Sequence, residues 1–467
     1  MIAPPQPAGP GAWSLEPGAD DYGPPRGDWR RWPGACILTS VQILRSFIEE
    51  QDQLGRVERI SDEVDPGGEA SKVLAARQGR IVVLERVRGY RAPVVSGLVG
   101  SRELLAAAIG TSVADLVTTL AARMDAPGTV EVVDSAPFLE GLETTTTVDD
   151  VVPLLRFDPG SERPYTSSSI IVARWARGGV NLSFHRMMYL GSDRFSVRVV
   201  PRHLRTILDE AGGKARVAVV MGVHPAVCIA AATSGGPDFD ELAFAASICG
   251  GLRVVDLDGL LVPADAEIVL EARFTGDLAP EGPFVDLTGT LDGVRQQPVL
   301  EVTRILHRPD FLYHTIVPGG AEHRLLMGTP QEPRILRAVS NAFPRVRQVA
   351  LTAGGCNWLH AAISLDRPLP GQARNAALAA LGAHPSLKRV VVVDADIDVH
   401  DAEQVEWAIA TRVQPDRDVI VVPGTRGSSL DPARNPADST TAKWIIDATV
   451  PADRDRAEFL RAEDLPR

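Results

Sequence analysis

The feature that most constrains the fold is a change of pattern near residue 331. From about 150 to 330 the chain runs as short β-type stretches, among them SSIIVARWA, RMMYLG, RFSVRVVP, ARVAVVMGV, LRVVDLDGLLVP and AEIVLEARFTG. Gly and Pro break them at irregular spacing, which predicts a β-barrel or sandwich. From 331 the apolar strands RQVALTAGG, RVVVVDADI and DVIVVPG alternate with the helical runs NAALAALGA and AEQVEWAIATR. That alternation predicts a sheet covered by helices. Ahead of both, SVQILRSFIEEQDQLG places Val41, Leu44, Phe47 and Ile48 at helical spacing, and Gly55 can end the helix. Two short strands and the helical runs SRELLAAAIG and SVADLVTTLAARM complete a small α+β unit. Residues 1 to 34 are rich in Pro and Gly, with isolated Trp13, Trp29 and Trp32, and read as a flexible arm. The expected organisation is an arm (1–34), an α+β region (35–130), a β-rich domain (131–330) and a C-terminal α/β domain (331–467). The fold class is α/β in the broad sense, with α+β parts.

Composition narrows the partners. A length of 467 residues leaves ample room for buried cores. The net charge of −12 argues against a nucleic-acid surface or an anionic membrane as the main partner. No apolar run reaches the ~18 residues of a membrane span. The first residues lack the basic start and apolar core of a secretion signal. None of Cys36, Cys228, Cys249 and Cys356 forms a CxxC pair, so they read as free thiols in a reducing, cytoplasmic compartment. Lysine occurs only at 72, 214, 388 and 443. Such a bias points to GC-rich coding DNA of the actinomycete kind.

Several common chemistries find no motif. No G-x-G-x-x-G follows a strand, and no P-loop, G-x-S-x-G elbow or H-E-x-x-H is present. Asp394, Asp396 and Asp398 lack the Gly and distal Glu of a calcium loop, so helix-capping and turn roles are expected of them.

Three segments remain. The first is Asn181-Leu-Ser-Phe-His-Arg186, followed by Pro201-Arg202-His203. The second is GVHPAVCIAAATS, leading to Asp240-Glu241. The third is a strand ending in Glu281-Gly-Pro-Phe-Val-Asp286. A Gly-Pro turn flanked by two carboxylates can aim both acids into one cavity, and Arg186 could pair with one of them. An arginine held by a carboxylate is a rigid cationic fork suited to gripping another carboxylate. Asn181, His203 and Glu241 offer an oxygen, an imidazole and a carboxylate, a mixed set suited to Mg2+ or Mn2+. Taken singly, each of these residues reads as an ordinary turn, surface or helix-start residue. A metal-dependent hydrolase built on His224, Asp238, Asp240 and Glu241 is a rival reading.

Together the segments resemble the UbiD family of prenylated-flavin-dependent decarboxylases. The likeness continues through GGAEHRLLMGTP, DADIDVHDAEQVEWAIATR, TRGSSLDP and TTAKWIIDAT, and covers the chain from about residue 41. It implies a split β-barrel flavin domain and a C-terminal α/β domain used in oligomerisation, giving a homodimer. It implies a prenylated FMN delivered by a flavin prenyltransferase. The metal bridging the cofactor phosphate, Mn2+ or Mg2+ and possibly K+, would be held by Asn181, His203 and Glu241, with Lys443 near that phosphate. Arg186, Glu281 and Asp286 match the catalytic trio, with Asp where Glu is usual in the last place. Arg186 would orient the substrate carboxylate, Glu281 would hold Arg186, and Asp286 would protonate the carbon left by CO2. The substrate is expected to be an α,β-unsaturated acid on a polyketide-type metabolite. A small phosphorylated acid of the mevalonate-pathway type and an aromatic acid are the alternatives. A non-catalytic flavin-binding or assembly protein on the same fold is the rival class.

Overall fold

Alternation along the central strands sorts their side chains onto two faces. In the strands Ile170–Arg174 and Arg216–Met221, Ile170, Val172, Ala218 and Val220 join one core. Ile171, Ala173, Val217, Val219 and Met221 join another. The first core is completed by the all-apolar helix Pro225–Ala232 and the helix Glu241–Cys249. The second is completed by the strands and helix of the N-terminal region, including Leu74, Val82 and Leu84. A sheet covered on both sides explains why these strands are apolar at nearly every position.

The computed structural model describes residues 43–143, 147–157, 163–236 and 238–461. The Pro/Gly-rich arm with its three tryptophans, Cys36 and Val41 lie outside the described residues. The described part belongs to one compact unit, Ser40–Arg467. Its first helix spans Leu44–Gln53 and buries Leu44, Phe47 and Ile48. Gly55, at φ +70°, turns the chain out of it.

The central sheet has nine strands among the described residues. Its order is Tyr165–Thr166, Met187–Gly191, Arg194–Val197, Arg295–His307, Ile268–Glu281, Arg216–Met221, Ile170–Arg174 and Val180–Phe184, with Gly141–Glu143 added to the Arg295–His307 strand. The path does not close on itself among these residues. An open path of this kind is compatible with the expected split barrel.

The C-terminal sheet runs Val346–Leu351, Arg389–Asp394 and Thr440–Ala448 with His360–Leu365 between the first two and Val419–Arg426 at the far edge. Its three inner strands are parallel. Val390 and Val392 pack with the helices Glu332–Ala342 and Gln372–Ala383, while Val391 and Val393 pack toward Ala402–Arg412. The predicted α/β domain thus has helices on both faces.

The aspartate run behaves differently from expectation. Asp401, and not Asp394, Asp396 or Asp398, caps the helix Ala402–Arg412. Asp394 is buried, accepts from Val450 N at 2.7 Å, and is flanked by Arg412 and Arg456. Asp396 takes the Arg412 Nη2 bond at 2.6 Å. Only Asp398 has a turn role, accepting from His400 N at 2.9 Å. The buried Arg412 guanidinium requires carboxylates more than the helix start does. Cys228 and Cys249 are buried free thiols, and Cys356 is free and half-buried.

Candidate active site

The turn after the strand Ile268–Glu281 builds the acidic half of the site. Gly282 sits at φ +104°, and a Cβ there would lie 3.0 Å from the Gly293 carbonyl. The following Phe284–Val285 pairs with Leu291–Asp292 as a short antiparallel hairpin. This folds Glu281, Asp286 and Asp292 around one point, and Arg186 occupies it.

Arg186 Nε donates to Glu281 Oε1 at 2.9 Å and Nη2 to Glu281 Oε2 at 3.2 Å. Nη1 donates to Asp286 Oδ2 at 2.9 Å, and Nη2 to Asp292 Oδ2 at 2.9 Å. The sequence led us to expect a pairing with one acid; three share the guanidinium. Glu281 is fully buried and also lies 3.4 Å from the Tyr165 hydroxyl, which points at it. The Phe284 ring covers the guanidinium with its centroid 4.4 Å from Cζ, a cation–π contact. Burial works against the charge on Arg186, but Glu281 and Asp286 outweigh it and hold its pKa above the usual value. Burial of Asp292 is likewise outweighed, by its bonds from Arg295 and Arg186, and its carboxyl stays below the usual range. Asp286 also accepts from Leu287 N at 2.7 Å.

The second cluster comes from three elements. Asn181 lies on the strand Val180–Phe184, and His203 and Glu241 each open a helix. Asn181 Nδ2 is 3.0 Å from Glu241 Oε1 and 3.5 Å from His203 Nδ1, and His203 Nδ1 is 3.9 Å from Glu241 Oε1. Glu241 is buried, and burial pushes its carboxyl up to about 8. His203 is held below its usual value by burial and by Arg177 and Arg202. Among the described residues, no group of three or more His, Cys, Asp or Glu side chains is placed to hold a metal ion. The cluster is one amide, one imidazole and one carboxylate.

A short chain of hydrogen bonds runs from Asn181 to the backbone of Arg198. His185 Nδ1 is 2.9 Å from the Arg198 carbonyl, so it must carry the proton, because a carbonyl only accepts. Burial keeps His185 neutral, with its pKa held down to about 4. Its Nε2 is then an acceptor and takes the Ser183 hydroxyl, 2.9 Å away. Ser183 Oγ also lies 3.2 Å from Asn181 Oδ1.

Other expected residues stand apart. Lys443 lies on the strand Thr440–Ala448 and donates to the Pro385 carbonyl at 2.6 Å. No hydrogen bond joins it to Asn181, His203 or Glu241 among the described residues. It does bear on the site's surroundings: the buried His384 is held down to about 4 by burial, with the charges of Arg334, Lys443 and Arg202 acting the same way. The rival hydrolase set does not assemble. His224 is buried and caps its own helix, Asp238 is exposed beside Arg177, and Asp240 caps the helix of Glu241.

Sequence reasoning missed Asp292, Tyr165, Phe284 and the neighbouring Arg198 and Arg295. Phe284 lay inside the quoted turn motif, whereas Asp292 precedes a glycine and so carries the signature of a plain turn.

Comparison with known proteins shows the family. The 3-octaprenyl-4-hydroxybenzoate carboxy-lyase N-terminal, Rift-related and C-terminal domains match residues 48–124, 131–321 and 324–448. An anhydromevalonate phosphate decarboxylase of Methanothermobacter thermautotrophicus is 44% identical over 87% of this chain and 97% of its own. That of Methanocaldococcus jannaschii is 38% identical over 86% and 96%. The UbiD-class enzyme HmfF of Pelotomaculum thermopropionicum, solved in complex with FMN, superposes with a TM-score of 0.87 at 36% identity, covering 90% of this chain and 97% of that one. The chain therefore belongs to the UbiD family and is a decarboxylase, a carboxy-lyase of that family's kind.

Proposed function

We propose that this decarboxylase uses prenylated FMN and a divalent cation to remove CO2 from a small phosphorylated α,β-unsaturated acid of the anhydromevalonate phosphate type. The carrying observation is the identity of 44% and 38% to decarboxylases of that compound over almost their whole length. It favours this substrate over the polyketide-type acid that the lysine-poor composition led us to expect. The aromatic alternative draws less support than the phosphorylated acid.

The donor set fits a cation. Asn181, His203 and Glu241 lie 3.0, 3.5 and 3.9 Å from one another and bring an amide, an imidazole and a carboxylate to one point. That mixed nitrogen and oxygen set suits Mn2+ or Mg2+. A phosphate of the cofactor would complete the shell, with Lys443 contributing positive charge from the C-terminal sheet; K+ is an additional candidate there. A flavin prenyltransferase would supply the cofactor.

When bound, the modified flavin supplies the electron sink that loss of CO2 from an sp2 carbon requires. The chain's own residues do the rest. Arg186 orients the substrate carboxylate, and buried Glu281 fixes Arg186 through two bonds. CO2 leaves with its carbon–carbon bonding pair left behind, and Asp286 delivers a proton to that carbon. The Asp286 side chain is 15% exposed, so solvent reaches it.

The test is direct. Protein co-expressed with a flavin prenyltransferase is given anhydromevalonate phosphate, a polyketide-type enoic acid and a 4-hydroxybenzoate. CO2 release with the phosphorylated acid at the highest kcat/KM is expected; a higher value for either of the others refutes the substrate assignment.

A further inference from the structure

A phosphorylated acid has two anionic ends, and the structure offers a second cationic group beside the one that grips the carboxylate. Arg198 continues the antiparallel register in which Val197 opposes Met187: its N–H donates to the Arg186 carbonyl at 3.1 Å. Directly opposed residues on paired strands project from the same face, so Arg198 stands beside Arg186. Arg295 opposes Glu281 in the adjoining strand pair and belongs to that face too.

Asp292 gathers all three arginines. Its Oδ2 accepts from Arg186 at 2.9 Å and lies 3.8 Å from Arg198 Nε, while its Oδ1 takes Arg295 Nη1. The three arginines are matched by Glu281, Asp286 and Asp292, so the cluster attracts anions through directed N–H groups rather than through net charge. Those groups are unevenly committed. Arg186 has four of its bonds placed on acids. Arg198 makes no side-chain hydrogen bond among the described residues, although its side chain is only 20% exposed. Burial, with Arg295 and Arg186 adding to it, already weakens the hold of Arg198 on its proton. An incoming anion relieves that strain.

We propose that Arg198 and Arg295, held in place by Asp292, form a second anion subsite that receives the phosphate of the substrate while Arg186 receives its carboxylate. This rests on the substrate reading given above. Guanidinium forks match phosphate oxygens in geometry as well as charge. The subsite would select short acids phosphorylated at the end remote from the carboxylate.

The experiment compares anhydromevalonate phosphate with the unphosphorylated acid, using cofactor-loaded wild type, Arg198→Gln, Arg198→Lys and Arg202→Gln. In Arg198→Gln the preference for the phosphorylated acid should fall about ten- to a hundredfold, mainly through KM. Flavin content should stay at the wild-type level, and Arg198→Lys should recover part of the preference. Equal losses on both acids, or loss of flavin, would overturn the assignment. So would a preference that survives in Arg198→Gln and disappears in Arg202→Gln, which would move the phosphate to the basic group around His384. Failure of the substrate reading looks different: wild type itself would show no preference for the phosphorylated acid, and the subsite would fall with it.

Discussion

Replacing Asp286 by Asn removes the proposed proton donor while changing little else in shape. Arg186 keeps two bonds to Glu281, at 2.9 and 3.2 Å, and one to Asp292 at 2.9 Å. The fork therefore stays where the substrate carboxylate needs it, and KM should change little. General-acid help contributes about two to four decades in rate, which corresponds to about 3–5 kcal/mol of barrier. Turnover should fall by that factor. A smaller structural effect accompanies it. Asp286 accepts from both Arg186 Nη1 and Leu287 N–H, and an asparagine has one acceptor oxygen for the two. One bond is lost, with a stability cost of about 1–2 kcal/mol, visible as a modest fall in Tm. The assay is single-turnover CO2 release from enzyme of verified flavin content, run in light and heavy water. Wild type should place deuterium at the former carboxyl carbon, and the variant should do so far more slowly. Asp292→Asn is the internal control, because Asp292 touches the same guanidinium: it should raise KM more than it lowers kcat. Near-normal turnover in Asp286→Asn would refute the proton-donor role and pass it to Glu281 or to solvent.

Glu241→Ala should cost most of the metal and flavin occupancy, since it removes both a carboxylate ligand and the partner that positions Asn181; full metal and flavin content by elemental analysis and absorbance would show the ligand set to be wrong. The protein should be a dimer formed through the C-terminal α/β region, where Leu369, Leu378 and Val421 are exposed large apolar residues; a single-chain mass by light scattering across working concentrations would contradict this. Stability should fall in acid as Asp396 is protonated. Burial of Asp396 is outweighed by its bond from Arg412, so its folded pKa lies below the ordinary value. Its contribution is then present above the unfolded carboxylate pKa of about 4 and lost as pH drops through the folded value. Urea midpoints of wild type and Asp396→Asn should converge below that range and separate above it.

How much of this was legible in the chain depends on the range of the interaction. The Glu281-Gly-Pro-Phe-Val-Asp286 turn was readable because both acids and the residues that bend the backbone are neighbours in sequence. The C-terminal alternation was readable because period and length distinguish its strands from its helices. The order of the nine central strands was not, since Ile170–Arg174 and Arg216–Met221 look apolar throughout and do not say which core each residue enters. Asp292 and Arg198 were invisible for a related reason. Asp292 reaches Arg186 through the pairing of Phe284–Val285 with Leu291–Asp292, and Arg198 through the pairing of Val197 with Met187. Register is a property of two strands, and neither strand states it alone. The role of Lys443 came from the resemblance alone; in the structure its side chain donates to the Pro385 carbonyl.

The arrangement of the two clusters follows from one stretch of backbone. Asn181 and Arg186 lie at the two ends of Val180–Phe184 and its continuation, and hydrogen bonds run from Asn181 through Ser183 to His185 between them. The Asn181 end and the Arg186 end of the site are therefore fixed relative to each other by a strand, which is stiffer than a loop. His185 completes the link by donating to the carbonyl of Arg198, and Arg198 N–H donates back to the carbonyl of Arg186. One buried neutral imidazole thus accepts from Ser183 and also ties down the backbone that carries Arg198. A change at His185 would disturb the proposed cation site and the proposed anion subsite together, although it lies in neither.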